Sequence, residues 1–402
     1  MRVKLSIIAS VFLFTFGSLP DAVSQWVESK GPFGGAVTCF ESSGTDLLAG
    51  CLGVGVYLTS DNGTIWMSVS NNLGNTAVLS FARASTTLYA GTYGGGVFRT
   101  TDEGANWEAA NAGISSANVY ALVADGTNLY AGTGTGIYFS TNDGTNWQQA
   151  SVGLTNTNVH ALLVNGTYLY AGTLGGGVFR SDDHGMNWQK AASGLSDTNV
   201  RAFEAIGSTI FAGTANSGVF ITSDNGANWI AAGSDLAQTP IYALVANGTY
   251  LFAGSLGQGV FVSSNNGISW TNVSLGLARL SVQALAVSGD YLFAGCADGS
   301  IWKRPLSELG VDDFRAPNES LVSFPNPFSL STTVSVRASE SGQSKITIVN
   351  LLGSEVARLF TGLLDGGEHS FNWDARRMPP AIYICVVRQH GRTDRLPMLL
   401  VK

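Results

Sequence analysis

The dipeptide Ala-Gly, preceded by Leu, Tyr or Phe, ends at Gly50, Gly91, Gly132, Gly172, Gly213, Gly254 and Gly295, at intervals of 41, 41, 40, 41, 41 and 41 residues. A tryptophan recurs in step at Trp66, Trp107, Trp147, Trp188, Trp229 and Trp270, with Trp26 40 residues ahead of the first. A fixed period of this length restricts the chain to stacked copies of one unit, each burying its apolar face against a neighbour. Within a unit, the run from Val119 to Thr133 reads as two β-strands joined by a Gly-containing turn, Gly136 to Ser140 as a third, and the segment carrying Trp147 as a short fourth. Four antiparallel strands in about 40 to 45 residues is the arithmetic of a β-propeller blade. The 50 glycines among 402 residues, nearly double the usual ~7%, are then mostly turn residues. No segment keeps a 3.6-residue apolar period, so the fold class is all-β.

The ends of the repeat predict how the ring closes. The seventh unit has its Ala-Gly and a third strand at Ile301-Trp302-Lys303, then runs into Arg304-Pro305 without an outer strand. Gln25-Trp26-Val27 precedes Val37 much as Trp66 precedes Val78, so the start of the mature chain is expected to supply the missing strand beside Trp302. That closure removes an unpaired sheet edge. The expectation is a seven-bladed propeller over residues 25–304, followed by a polar, acidic linker at 305–323.

Each internal tryptophan ends the pattern Ser/Thr-x-Asp/Asn-x-Gly-x-x-Trp, found six times from Thr59 to Trp270. Asp61, Asp102, Asp183 and Asp224, with Asn142 and Asn265 through their amide oxygens, are expected to accept bonds from the following backbone N–H groups, while Gly takes positive φ. The indole is expected to wedge between sheets. This pattern resembles the Asp-box repeat of sialidases, sortilin-like receptors, some glycoside hydrolases and photosystem-assembly propellers. The resemblance implies a structural box lying away from the active centre. A sialidase also needs an arginine cluster for a substrate carboxylate and a Tyr/Glu nucleophile pair. Here Arg99 and Arg180 merely recur at one repeat position, the Phe-Arg-Ile-Pro signature is absent, and the glutamates fall on different repeat phases.

Positions that vary inside a uniform template are those the scaffold does not dictate. The residue after the first-strand Val or Ile is the most variable: Thr38, Leu79, Tyr120, His160, Arg201, Tyr242 and Gln283. These side chains are expected to ring one mouth of the central channel, opposite the box turns. Tyr120, His160, Arg201, Tyr242 and Gln283 are the candidates for holding a sugar or a peptide; the alternative is that they fill a wet channel mouth. The loops after Ala-Gly, at Leu52, Tyr93, Leu174 and Leu256, reach the same face. They are short, and each internal tryptophan stands 12 residues before the next first-strand Val or Ile, so no unit carries an insertion. No metal site and no cofactor is indicated.

Residues 1–24 read as a cleaved signal peptide: Arg2 and Lys4, an apolar run from Leu5 to Phe16 too short for the roughly 20 residues of a membrane span, and Ala22-Val23-Ser24. The four cysteines are too few for a disulfide scaffold in an exported chain of this length. Cys39 with Cys51, or Cys51 with Cys296, are the pairs that can approach; buried thiols are the default. A net charge of −7 gives no polyanion-binding surface, which excludes nucleic acid as a partner.

After Phe324 a second pattern begins, with alternating runs at Thr333–Arg337, Lys345–Val349, Glu355–Leu359, His369–Trp373 and Ile382–Val387, which reads as a small Ig-like β-sandwich over 324–402. Pro325-Asn-Pro-Phe328, Thr332-Thr333-Val, Leu352-Gly353, Gly367-x-His369, Trp373-Asp374, Ile382-Tyr383 and a terminal Leu399-Leu-Val-Lys402 resemble, in order, the type A C-terminal sorting domain of the type IX secretion system. Ala381 replaces a Gly common before the Ile/Val-Tyr pair. The resemblance implies export across the outer membrane of a Gram-negative bacterium, the secretion machinery as partner, and release or surface anchoring. This region carries nine Lys/Arg against six Asp/Glu, whereas residues 25–323 carry ten against twenty-one. The expected function is a secreted or surface propeller that binds a glycan or protein without catalysis. The alternative is an exo-acting glycoside hydrolase or lyase of the sialidase-like class.

Overall fold

A computed structural model describes residues 25–32, 34–309, 321–324, 326, 328–338, 341–350, 354–389 and 392–400. The expected signal peptide, 1–24, and 310–320 of the expected linker lie outside the described residues. Among the described residues the structure is all-β, with a single 3-10 turn at Leu306–Glu308, and no helix is long and apolar enough to cross a membrane.

The first unit shows the template. β1 (Val27–Glu28) precedes β2 (Val37–Ser43), β3 (Asp46–Cys51), β4 (Gly55–Thr59) and β5 (Met67–Ser68), and β2 to β5 pair in that order as one antiparallel sheet. Five further sheets repeat this arrangement, with inner strands Val78–Ala84, Val119–Asp125, Val159–Asn165, Val200–Ile206 and Ile241–Asn247. The seventh sheet contains Val282–Ser288, Tyr291–Cys296 and Ile301–Pro305, and its fourth strand is β1, with Val27 opposite Lys303 and Glu28 opposite Trp302. Each inner strand packs against that of the next sheet, and the seventh packs against the first. These four-stranded antiparallel sheets fit a β-propeller.

Two repeated contacts, the first made seven times and the second six, hold the sheets together. The first explains the Ala-Gly dipeptide. A methyl group on its glycine would lie 2.5 to 2.8 Å from a side-chain methyl of the next inner strand's first residue: Gly132 meets Val159, Gly172 meets Val200, Gly213 meets Ile241 and, across the closure, Gly295 meets Val37. Hydrogen is all that fits, so small and β-branched residues are matched across each interface. The second is the tryptophan. The indole Nε1 of Trp107, Trp147, Trp188, Trp229 and Trp270 donates to Val69, Ala110, Ala150, Ala191 and Ala232 of the preceding sheet at 2.8 to 3.2 Å. Trp26 makes the equivalent bond to Val273 at 2.7 Å, whereas half-buried Trp66 reaches the Ser29 hydroxyl instead. The indole is therefore a hydrogen-bonded strut as well as an apolar wedge. Trp302 takes no such part: its indole donates to Ser300 of its own sheet, and its role in closure is backbone pairing with Glu28.

Leu306 and Leu309 extend the packing beyond the last strand, buried with Trp26 and Leu277. All four cysteines are free; Cys51, Cys296 and Cys385 are buried and Cys39 half-buried, so neither candidate disulfide forms. Residues 321–400 form a three-stranded sheet (Leu321–Phe324, Ser331–Ala338, Gly367–Asp374) and a four-stranded one (Gly342–Asn350, Glu355–Leu364, Ala381–Gln389, Arg392–Leu400). The two share one apolar cluster centred on Trp373, with Phe328 and Tyr383 edge-on to its ring. The first and last of these strands are additional to the runs read from the sequence.

Candidate functional site

Each inner strand holds one residue more than its partner strand accommodates. Val119 pairs with Thr133 and Ala121 with Gly132, leaving Tyr120 as the extra residue of a β-bulge. The same slip falls at Thr38, Leu79, His160, Arg201, Tyr242 and Gln283. A bulge takes its residue out of the ladder and re-aims the side chain. All seven side chains line a single open cavity of about 390 Å³. It lies at the strand ends away from the box turns: Val37 is level with Cys51 and Gly55, whereas Leu47 is level with Thr59, where the turn begins. Of the four rim residues expected to reach this face, Leu52 and Tyr93 line the cavity. Leu174 and Leu256, like Tyr93, bridge to the residue immediately before the next inner strand, at Asn199 and Ser281.

Four consecutive sheets contribute a continuous arc. The Tyr120 and His160 rings stack with centroids 4.1 Å apart and planes 11° from parallel. Arg201 Nη1 lies 3.5 Å from His160 Nδ1, and its guanidinium carbon sits 5.1 Å from the centroid of Tyr242. Because guanidinium only donates, Nδ1 is the acceptor, and the ring proton is on Nε2, which faces Asn158 Oδ1 at 3.1 Å. Burial, assisted by the Arg201 charge, pushes the His160 pKa down to about 4, so the imidazole is neutral at pH 7. Thr38 closes the other side, its hydroxyl facing the carbonyls of Gly50 at 3.0 Å and Val78 at 2.6 Å. The Tyr120 and Tyr242 hydroxyls and the Gln283 amide have no hydrogen-bond partner among the described residues. Asn158, which orients His160, was not among the sequence candidates, although an Asn two residues before the bulge recurs in three consecutive units, at Asn118, Asn158 and Asn199.

The box turns stand at the opposite face as fixed structure. In the second sheet Thr100 Oγ1 donates to Asp102 Oδ1 and accepts from the Gly104 N–H, while Asn106 gives Asp102 both its backbone N–H and its side-chain amide. These bonds, the Asn106 amide foremost, hold the Asp102 pKa at about 2. Asp183 is held at about 2 in the same way by Asn187, and Asp61 is lowered by the Ile65 N–H. A carboxylate so saturated has no proton to transfer near neutral pH. The Asn142 and Asn265 oxygens accept from Asn146 and Ser269 as expected.

One cluster is invisible to repeat spacing. Arg83 makes a bidentate pair with Glu103 at 2.8 Å and a longer bond to Glu41 at 3.4 Å. Burial raises the Glu41 pKa against the lowering effect of Arg83. The arginine between them makes this an ion-pair bridge linking the first two sheets.

Residues 131–244 match the family model described as the DUF6242 beta propeller domain. No curated protein matches the chain. Several solved structures are similar in fold. PorZ, described as an essential bacterial surface component of the type IX secretion system of Porphyromonas gingivalis, is 14% identical over 96% of this chain and 61% of its own, with a TM-score of 0.55. The extracellular domain of the putative hybrid two component system BT3049 from B. thetaiotaomicron is 14% identical over 94% of this chain and 57% of its own, with a TM-score of 0.59. A GH74 xyloglucanase from Xanthomonas campestris is 15% identical over 78% and 59%, with a TM-score of 0.54. The chain thus spans about three fifths of each of these structures, and the likeness is one of fold.

Proposed function

We propose that this chain is a secreted or surface-displayed binding protein, a seven-bladed Asp-box propeller over residues 25–304 whose ligand sits in the bulge-lined mouth and is bound without being transformed. Residues 324–402 are then its Ig-like type IX sorting domain, joined by the 305–323 linker and serving export across the outer membrane. The observation that carries the binding reading is the convergence of seven variable side chains, each displaced from its ladder by the same bulge, on one cavity. Free Tyr hydroxyls and a free Gln amide beside stacked rings suit a glycan or a peptide. The sialidase-like alternative requires paired carboxylates beside its substrate. Among the described residues the cavity lining contains neither Asp nor Glu. Likeness to a surface component of a type IX system, and to an extracellular domain, supports the location.

The test is a binding screen of the mature protein, residues 25–402, against glycan and peptide arrays. At least one ligand class is expected to be retained by the wild type and weakened tenfold or more by Tyr120→Ala with Tyr242→Ala, at unchanged thermal stability. Binding that the double variant leaves intact contradicts the assignment of the mouth.

A further inference from the structure

Resting on the reading of the mouth as a ligand seat, we infer that its ligand is a peptide presenting one carboxylate to Arg201 beside an apolar side chain that fills the opposite arc. The charge distribution leads to the first half. Among the described residues Arg201 is the only charged side chain lining the cavity, because His160 accepts a hydrogen bond from it and is therefore neutral. Among the described residues no carboxylate pairs with Arg201: its contacts are the 3.5 Å bond to His160 and the face of Tyr242, and its Nε is buried without a partner. Arg279, a cation in the loop before the seventh inner strand, is already paired with Asp298. Asp197, four residues before Arg201, is spent on the backbone and side-chain amides of Asn199 and Asn216. Glu204, on the same inner strand, accepts from the Ala205 and Ala246 N–H groups. A guanidinium held in a fixed stack with most of its donors unused is matched by a planar carboxylate.

The second half comes from the other side of the cavity. Leu52 and Leu79, with the ring of Tyr93, line it where the arc of Tyr120, His160, Arg201 and Tyr242 does not. Leu52 and Tyr93 are 43% and 53% exposed, which is apolar surface left uncovered at a binding mouth. Leucines give the hydroxyls of a sugar nothing to bond, whereas an aliphatic or aromatic side chain gains from burial there. A cavity of about 390 Å³ is at the small end of ligand pockets and suits one or two residues.

The decisive experiment titrates mature protein with N-acetyl-leucine, N-acetyl-leucinamide, an acetylated Asp-Leu-amide, glucuronate and glucose, following backbone amide shifts. N-acetyl-leucine or the Asp-Leu amide is expected to bind at least tenfold more tightly than N-acetyl-leucinamide, and which of the two does so separates a terminal from a side-chain carboxylate. Arg201→Gln is expected to erase that preference while leaving the weak binding of the leucinamide. Arg201→Lys, which keeps the charge without the planar fork, is expected to retain part of it. The preference is expected to shrink with added salt. Glucuronate favoured over glucose without any leucine dependence overturns the peptide assignment. Equal affinity for acid and amide overturns the carboxylate. Either result leaves the mouth as a ligand seat in place, whereas no shift at any mouth residue with any array ligand removes the seat itself.

Discussion

Arg201 and Asp102 are both charged residues in a repeat, and their surroundings assign them opposite tasks. Asp102 is satisfied by donors from its own turn, while Arg201 is left with donors to spare. The first was legible in the sequence, because an Asp at fixed distance before Gly and Trp is a turn signal with known chemistry. Half of that turn was not: the residue before each box glycine, such as Asn62, Glu103 and His184, also takes positive φ, at 53 to 58°. Asn, Asp or His at five of the six such positions was the available sign. The turns make a prediction about acid. Asp102 and Asp183 titrate at about 2 in the folded protein against an ordinary value of 3.8, so their contribution is fully present above that value and is lost as pH falls toward 2. Thermal unfolding of an Asp102→Asn, Asp183→Asn variant is therefore expected to fall less steeply than wild type between pH 4 and pH 2. Equal slopes would show that these carboxylates do not carry the turns.

At the scale of the strand, the repeated dipeptide announced the architecture without disclosing its cause. The cause is the next sheet's Val or Ile, a contact between residues 27 or 28 positions apart in six cases and between the two ends of the ring, Gly295 and Val37, in the seventh, which no local pattern displays. Gly172→Ala places a methyl 2.6 Å from Val200 Cγ1 and is expected to cost ~1–3 kcal/mol by overpacking. Adding Val200→Ala is expected to recover part of that loss, so urea unfolding midpoints of the two single variants and the double variant should be non-additive. Additive costs would separate the two residues. The bulges were hidden for a related reason, since an extra residue exists only relative to a paired strand. Ala121 and Leu122, adjacent and both buried, broke the alternation that a regular strand keeps. That break is the local sign of a bulge, and it is why Tyr120 leaves the sheet for the cavity.

At the scale of the whole molecule, closure turns seven separate bulges into one mouth. The missing outer strand after Arg304 and the spare one around Trp26 were both readable, because a repeat exposes its own gaps. The strands Leu321–Phe324 and Arg392–Leu400 were not. Both lie at sheet edges, and the second is interrupted by charges and by Pro397, which an edge tolerates and a central strand does not. The central claim is that the ends of the ring meet through β1, and it can be tested by cross-linking. Val27 and Lys303 are directly opposed across antiparallel strands, a separation of ~4.5–5.5 Å between Cα atoms that a disulfide spans. In a Val27→Cys, Lys303→Cys variant, mild oxidation followed by thiol titration under denaturing conditions is expected to count four free thiols, those of the native cysteines, in a monomer. Six free thiols in folded, oxidised protein would mean that the first strand does not lie in the seventh sheet.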